Sequence, residues 1–366
     1  MTVFTNKSKR MKKLLFLIFI YSNIQAQNIA NLADSIRIKH EIPALAYAVI
    51  KPDSILFFNT IGFANLQQKT PADFSSHFAL GSCTKSLTSL IAAKMVSEGK
   101  IAWKTLFFDL FPELKAKSNE KYVVMTLQDL LTHRAYLRPL SGQNNEKMPE
   151  KLLADSSADC RLNLAKWVVQ QPPFDLGHRF HYSNAGYTLA GLMLEKASGM
   201  KYEELTIHYL KSLSISPLND YPNSLQKEDI WFHNHRLKAV AAKNNYDSGC
   251  GKAIAPAGLV FMNVEDAAKY LQIHLKGILG KSDFLPKETF EMLHFGMTNY
   301  AFGWANQVQD DNRWSGHQGS IGGWSFCDFR IYEKDKMAIV VMANAGTQEA
   351  QNGVITLRKL LYQLKK

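Results

Sequence analysis

Two blocks of strand-forming sequence stand at opposite ends of this chain, with a long and mostly helical stretch between them. Near the start, Ala44 to Ile50 and Ile55 to Phe63 are rich in β-formers. Lys51-Pro52-Asp53-Ser54 between them reads as a hairpin turn. Late in the chain, Gly316 to Gly319, Trp324 to Tyr332 and Met337 to Ala343 form a second block, followed by a helix from about Val354 to Leu364. After Ser82, the residues Leu87, Leu90, Ile91, Met95 and Val96 recur at helical spacing, and Gly99 supplies the stop. From Thr126 to about Leu213 the pattern is helical, broken by polar stretches at Pro139 to Pro149 and Gln171 to Gly177. Strands so far apart can share a layer only if one antiparallel sheet is completed from both ends of the chain, with the helical part inserted. The expectation is an α+β domain over 27–366: an α/β part at about 27–100 and 250–366, and a helical part at about 101–249. A site would then lie in the cleft between the two parts. With 366 residues, 46% of them hydrophobic, the chain can fill such a core.

The first residues follow another logic. Met11-Lys12-Lys13 precedes an apolar run from Leu14 to Tyr21, and Ala26 offers a small residue for cleavage. This is the pattern of a secretory signal over 1–26. The run is too short for a spanning helix, which needs about 20 apolar residues, so membrane contact is expected only through the signal and the mature protein is expected to be periplasmic or secreted. Removing the segment would lower the formal charge from +11 to +6. That excess suits anionic cell-envelope components as surroundings, but no basic run interleaves with aromatics, so nucleic acid is not an expected partner. Cys83, Cys160, Cys250 and Cys327 show no CxxC spacing, and no HExxH occurs, so neither metal nor other cofactor is implied. Cys83 is expected to be a free, packed thiol.

Three short elements carry chemistry. Ser82-Cys83-Thr84-Lys85 is an SxxK string, which on a helix places hydroxyl and ammonium on one face. Serine needs a neighbour to take its proton, and lysine can do so if burial or nearby cations lower its pKa. Four other SxxK strings start at Ser97, Ser118, Ser198 and Ser224. Only Ser82 follows an extended Phe78-Ala79-Leu80-Gly81 segment and opens a strongly apolar helix. Tyr182-Ser183-Asn184 adds a phenol able to relay a proton and an amide able to hold a substrate carbonyl. His317-Gln318-Gly319 begins the late strand block, where the backbone N–H of Ser320 can join that of Ser82 as an oxyanion donor.

In this order the three elements resemble the serine β-lactamase and penicillin-binding-protein family, in the branch with class C β-lactamases, D-alanyl-D-alanine peptidases and related esterases. The resemblance spans Ile42 to Ala345. It includes Gly62-Phe63-Ala64-Asn65, Thr126 to His133, Ala257-Gly258-Leu259, Gly303-Trp304 and the strand ending at Asn344. It implies a β-lactamase/transpeptidase-like fold with a five-stranded type of sheet flanked by helices. It also implies Ser82 as nucleophile, a proton-transfer role shared by Lys85 and Tyr182, and substrate contacts from Asn184, Gln318, Gly319 and Ser320. His317 takes the position of the third-motif cation, where a class C enzyme typically has lysine. Two departures bear on the substrate: Arg134-Ala135-Tyr136 replaces the Thr-Ser-Gly common among relatives, and Gln318 replaces a hydroxyl residue. His133, His178 and His181 read as structural or loop-orienting. The implied activity is hydrolysis of a small-molecule or peptide ester or amide through an acyl-enzyme. A histidine, mostly neutral at pH 7, favours an esterase or peptidase over a β-lactamase. A non-hydrolytic receptor is the remaining reading, and the joint presence of Ser82, Lys85 and Tyr182 argues against it.

Overall fold

In the computed structural model, residues 27–140, 149–153, 157, 159–219, 229–240, 249–309 and 312–364 are described. The signal-like segment and part of the Pro139 to Pro149 stretch lie outside them, as does the side chain of Cys250. The strands of the main sheet are β1 (Ala44–Lys51), β2 (Ser54–Asn65), β3 (Thr70–Pro71), β4 (Ala305–Gln307), β5 (Trp314–Ser320), β6 (Phe326–Tyr332) and β7 (Met337–Ala343). Their order across the sheet is β3-β2-β1-β7-β6-β5-β4, antiparallel throughout. Five long strands match the expected type. The two extra edge strands, of two and three residues, are too short to leave a periodic trace in the sequence. The β1–β2 hairpin closes at Lys51 opposite Ser54, around Pro52 and Asp53.

The helices used below are α1 (27–39), α2 (Thr84–Ser97), α3 (Leu127–Leu131), α4 (Cys160–Val168), α5 (Asn184–Ser198), α6 (Tyr202–Lys211), α7 (Val264–Ile278), α8 (Lys287–Phe295) and α9 (Gln348–Leu364). The central strands are buried on both faces, and strand alternation sorts their residues. Ala44, Ala46, Ala48, Phe329, Val340 and Met342 face α2 and α7, where the alanines permit close approach. Leu45, Tyr47, Val49, Ile339 and Val341 face the layer formed by α1 and α9. α9 starts six residues before the expected Val354. Gly353 sits inside the helix because a Cβ there would lie 2.7 Å from the His40 Cβ, so this glycine marks a contact, not a boundary.

α2 is buried nearly all round, and its small polar residues are each bonded. Ser86 Oγ donates to Cys83 O at 2.7 Å and accepts from Tyr270 at 2.8 Å, while Thr88 Oγ1 donates to Pro256 O at 2.7 Å. A helix of this kind, enclosed between the sheet and the helical region, gives its N-terminus a fixed position at the cleft.

Candidate active site

Ser82 lies in a 3-10 turn, Gly81–Cys83, that runs directly into α2. The chain enters this turn through Phe78–Ala79, which pairs with Phe261–Met262, and Leu80 N–H donates to Val260 O at 2.9 Å. β4 pairs with β5 only as far as Ala305 opposite Gly316, so beyond that point the edge of β5 is open and the serine turn packs there. Two glycines permit the approach. Gly81 has φ +50°, and a Cβ on it would stand 2.5 Å from Ser320 N; a Cβ on Gly319 would meet Leu80 O at 2.0 Å and Ser82 N at 2.6 Å. The thiol of Cys83, free and fully buried, donates to His317 O at 3.2 Å and ties turn to strand.

Lys85, the second residue of α2 and one turn beyond Ser82, is fully buried. Its Nζ lies 2.7 Å from Ala257 O, 2.8 Å from Asn184 Oδ1 and 3.1 Å from Ser82 Oγ. Asn184 is oriented because its Nδ2 donates to Leu140 O at 3.0 Å, leaving Oδ1 for the lysine. Both the carbonyl and Oδ1 can only accept, so they take two amine hydrogens. In a neutral amine the lone pair is then left facing the serine hydroxyl. Burial depresses the Lys85 pKa to about 7, so this neutral form is accessible near pH 7.

Tyr182 lies in the extended segment just before α5, whose N-cap is Ser183. Its ring centroid is 4.8 Å from Lys85 Nζ. Burial raises its pKa, and an interaction with the Ser82 side chain offsets this only in part, so the phenol keeps its proton where Lys85 loses one. His317 stands on the same face of the sheet as Ser82, its ring centroid 6.1 Å from that of Tyr182. Burial, reinforced by Lys85, depresses its pKa to about 3, so the ring is neutral near pH 7.

The structure thus brings Ser82, Lys85, Tyr182, Asn184, His317 and Gly319 together, but not the side chain of Gln318. Neighbouring residues on a strand point to opposite faces. Gln318 therefore lies across from Asp328 on β6, with its Nε2 3.3 Å from Asp328 Oδ2, and only its main chain faces the cleft. Ser320 shares the parity of Gln318, and its backbone nitrogen lies against the serine turn, 2.5 Å from where a Cβ on Gly81 would stand. The competing SxxK hydroxyls that the structure describes are engaged at helix ends: Ser97 donates to Lys94 O, Ser118 to Lys115 O and Ser198 to Leu194 O. His294 is buried on α8 against His274 and Ser315, away from the site.

Sequence reasoning missed two participants and the exact place of a third. The carbonyl of Ala257 could not be read from a side chain. Tyr300, three residues before the quoted Gly303-Trp304, bonds both His133 and His317 at 3.2 Å. His133, read as structural or loop-orienting, is buried at φ +60° with its ring 4.4 Å from that of Tyr182, a structural place that puts it beside the reacting groups.

A family model described as Beta-lactamase matches residues 26–363. The chain belongs to the Beta-lactamase family. It is 26% identical over 250 residues to a β-lactamase of Escherichia coli (strain K12), covering 65% of this chain and 58% of that protein. Among solved structures, a class C β-lactamase from Rhodobacter sphaeroides superposes with a TM-score of 0.72 at 19% identity, over 92% of this chain and 99% of that one. D-alanine carboxypeptidase AmpC from Burkholderia cenocepacia gives 0.70 at 15% identity, over 91% and 99%. The chain spans 39 to 61% of the length of the curated relatives it matches.

Proposed function

We propose that this protein is an exported serine hydrolase that cleaves an ester or amide through an acyl-enzyme on Ser82, in the manner of an esterase or a D-alanyl peptidase. The observation that carries the reading is Lys85, whose two acceptor-only partners leave its lone pair for the Ser82 hydroxyl. As Oγ attacks the carbonyl carbon, its proton passes to Lys85 Nζ, and the carbonyl electrons move to an oxyanion held by the N–H groups of Ser82 and Ser320. Tyr182, still protonated, donates to the leaving group as the acyl bond to it breaks, and is reprotonated from Lys85. Water then attacks the acyl-enzyme, and the same groups return the proton to Ser82 Oγ.

The neutral state of His317 supports substrates that do not depend on a fixed cation for a carboxylate, which speaks for esters and for amides without a carboxylate at that point ahead of β-lactams. Export rests on the signal-like pattern before Ala26, and cell-envelope material is the expected surroundings. Trapping with a fluorescent penicillin followed by mass spectrometry, run beside a panel of p-nitrophenyl esters, tests this reading. The adduct is expected on Ser82, ester turnover is expected to exceed β-lactam turnover, and acylation is expected to rise with pH through about 7 as Lys85 loses its proton. An adduct elsewhere, or turnover that survives Ser82→Ala, overturns the nucleophile; faster β-lactam than ester turnover makes the protein a β-lactamase.

A further inference from the structure

Behind the reacting groups runs a chain of hydrogen bonds whose two ends have a fixed sense. At one end the backbone N–H of Ser183 donates to His133 Nδ1 at 3.1 Å. At the other, His317 Nδ1 stands 2.7 Å from the carbonyl of Gln318. Between them the hydroxyl of Tyr300 lies 3.2 Å from His133 Nε2 and 3.2 Å from His317 Nε2. An amide N–H can only donate and a carbonyl can only accept, and a neutral imidazole has one of each. With both ends fixed, one arrangement satisfies every member. His133 carries its proton on Nε2 and donates to Tyr300, Tyr300 donates to His317 Nε2, and His317 carries its proton on Nδ1 and donates to Gln318 O.

We propose that Tyr300 is a positioning residue of this site, fixing His133 and His317 in opposite tautomers and, through His317, anchoring the Gln318 carbonyl beside the serine turn. A second proton on His317 would turn its Nε2 into a donor facing the same hydroxyl that already accepts from His133. The Tyr300 proton would then have to leave His317 for the hydroxyl of Tyr187 on α5, its other hydrogen-bond neighbour, which donates its own proton to Leu131 O and so can accept. Protonating either ring therefore means rearranging the chain: His317 would have to turn Tyr300 toward Tyr187, and a second proton on His133 would face the Ser183 N–H.

The groups facing His317 point the same way. Lys85 comes from α2, Tyr182 from the segment before α5, and Cys83 bonds the His317 carbonyl from the serine turn. His133 and Arg134 follow α3, and both bear on this cluster as potential like charges. Asp328, bonded to Gln318, lies on the opposite face of the sheet. Burial and Lys85 both favour the neutral His317 ring. Anchoring the Gln318 carbonyl fixes the peptide that precedes Gly319, and with it the run of β5 backbone up to the Ser320 N–H. Tyr300 thereby acts on oxyanion geometry without touching substrate.

The kinetic part of this inference rests on the Ser82 acyl-enzyme reading, but the tautomers do not. Long-range 1H–15N correlation on protein labelled at histidine, assigned with His317→Gln, reads the ring protons directly in the unaltered protein. Expected are one ring protonated on Nδ1 (His317) and one on Nε2 (His133), both unchanged from pH about 5 to about 9, a range that brackets the ordinary histidine pKa. Tyr300→Phe, checked by thermal melting for a folded product, is expected to let His317 titrate or change tautomer. It should also lower the acylation rate about 10- to 100-fold and add an ionisation to its pH profile. Incorporation of 3-fluorotyrosine at 300, which keeps the hydroxyl in place, should restore both. A charged or Nε2-protonated His317 in the unaltered protein overturns the proposal, as does a folded Tyr300→Phe protein with unchanged tautomers and an unchanged profile. Tautomers as expected with no adduct on Ser82 would overturn the hydrolase reading and leave this one standing.

Discussion

The state of Lys85 can be tested without any substrate, by comparing the pH dependence of stability in the unaltered protein and in Lys85→Met. In the folded protein the amine titrates near 7 because burial disfavours its charge. In the unfolded chain it titrates at about 10.4. Between these two values the unfolded chain binds a proton that the folded one does not, so the free energy of unfolding must rise with pH, by about 1.4 kcal/mol per unit. Over the whole window the rise amounts to about 5 kcal/mol. Methionine removes this contribution while roughly keeping the length and apolar volume of the stem; the freed Ala257 carbonyl and Asn184 Oδ1 add a penalty that does not vary with pH. Contributions from other titrating groups cancel in the difference between the two proteins. Urea unfolding followed by circular dichroism from pH about 6 to about 9 should show the unaltered protein gaining about 3 kcal/mol relative to Lys85→Met, nearly all of it above pH about 7. Parallel curves would mean that the folded lysine is charged throughout, and an ammonium without a lone pair cannot take the serine proton.

Because nucleophile and base act as one unit, Ser82→Ala and Lys85→Ala are each expected to lower turnover about 10⁴-fold or more, with the double variant little worse than either. Steady-state kinetics on an active ester decides it, and losses that multiply would separate the two residues. Gly319→Ala should press a methyl group against Leu80 O and Ser82 N, both main-chain atoms that cannot swing aside. A fall in kcat of about 10²-fold or more is expected from the disturbed oxyanion donors, with a stability loss of about 1–3 kcal/mol. Full activity in this variant would mean that the contact between β5 and the serine turn is not used in catalysis.

The long strands and the SxxK, YxN and HxG strings were legible because each has a short-range signature: apolar runs bounded by turns, or residues at fixed spacing on one element. Choosing Ser82 among five SxxK strings depended on what precedes and follows it, and Ser97, Ser118 and Ser198 show why the string alone is weak, since serine near a helix end serves backbone carbonyls equally well. What escaped the sequence was relational. Tyr300 and His133 act through partners far away in the chain, and Ala257 acts through a carbonyl that every residue possesses. The side chain of Gln318 was misplaced for a different reason: a motif read as three consecutive site residues ignores that a strand sends alternate residues to opposite faces.

The pairing of β1 with β7, Leu45 opposite Ala343, also sets a timetable for the chain. A polypeptide emerging N-terminus first presents the β1–β2 hairpin and the Ser82 turn early, yet the partner of β1 and the Ser320 N–H arrive only with the last strands. Contacts of such separation form slowly, because loop closure must precede any stabilisation from them. Until then β1 has an open edge, with Asn344 Oδ1 not yet in place to accept from Ala44 N–H at 2.7 Å. On the proposed reading, a chain still lacking its last strands would carry Ser82 without the second oxyanion donor, and hydrolytic competence would follow only once the two ends of the sheet have met.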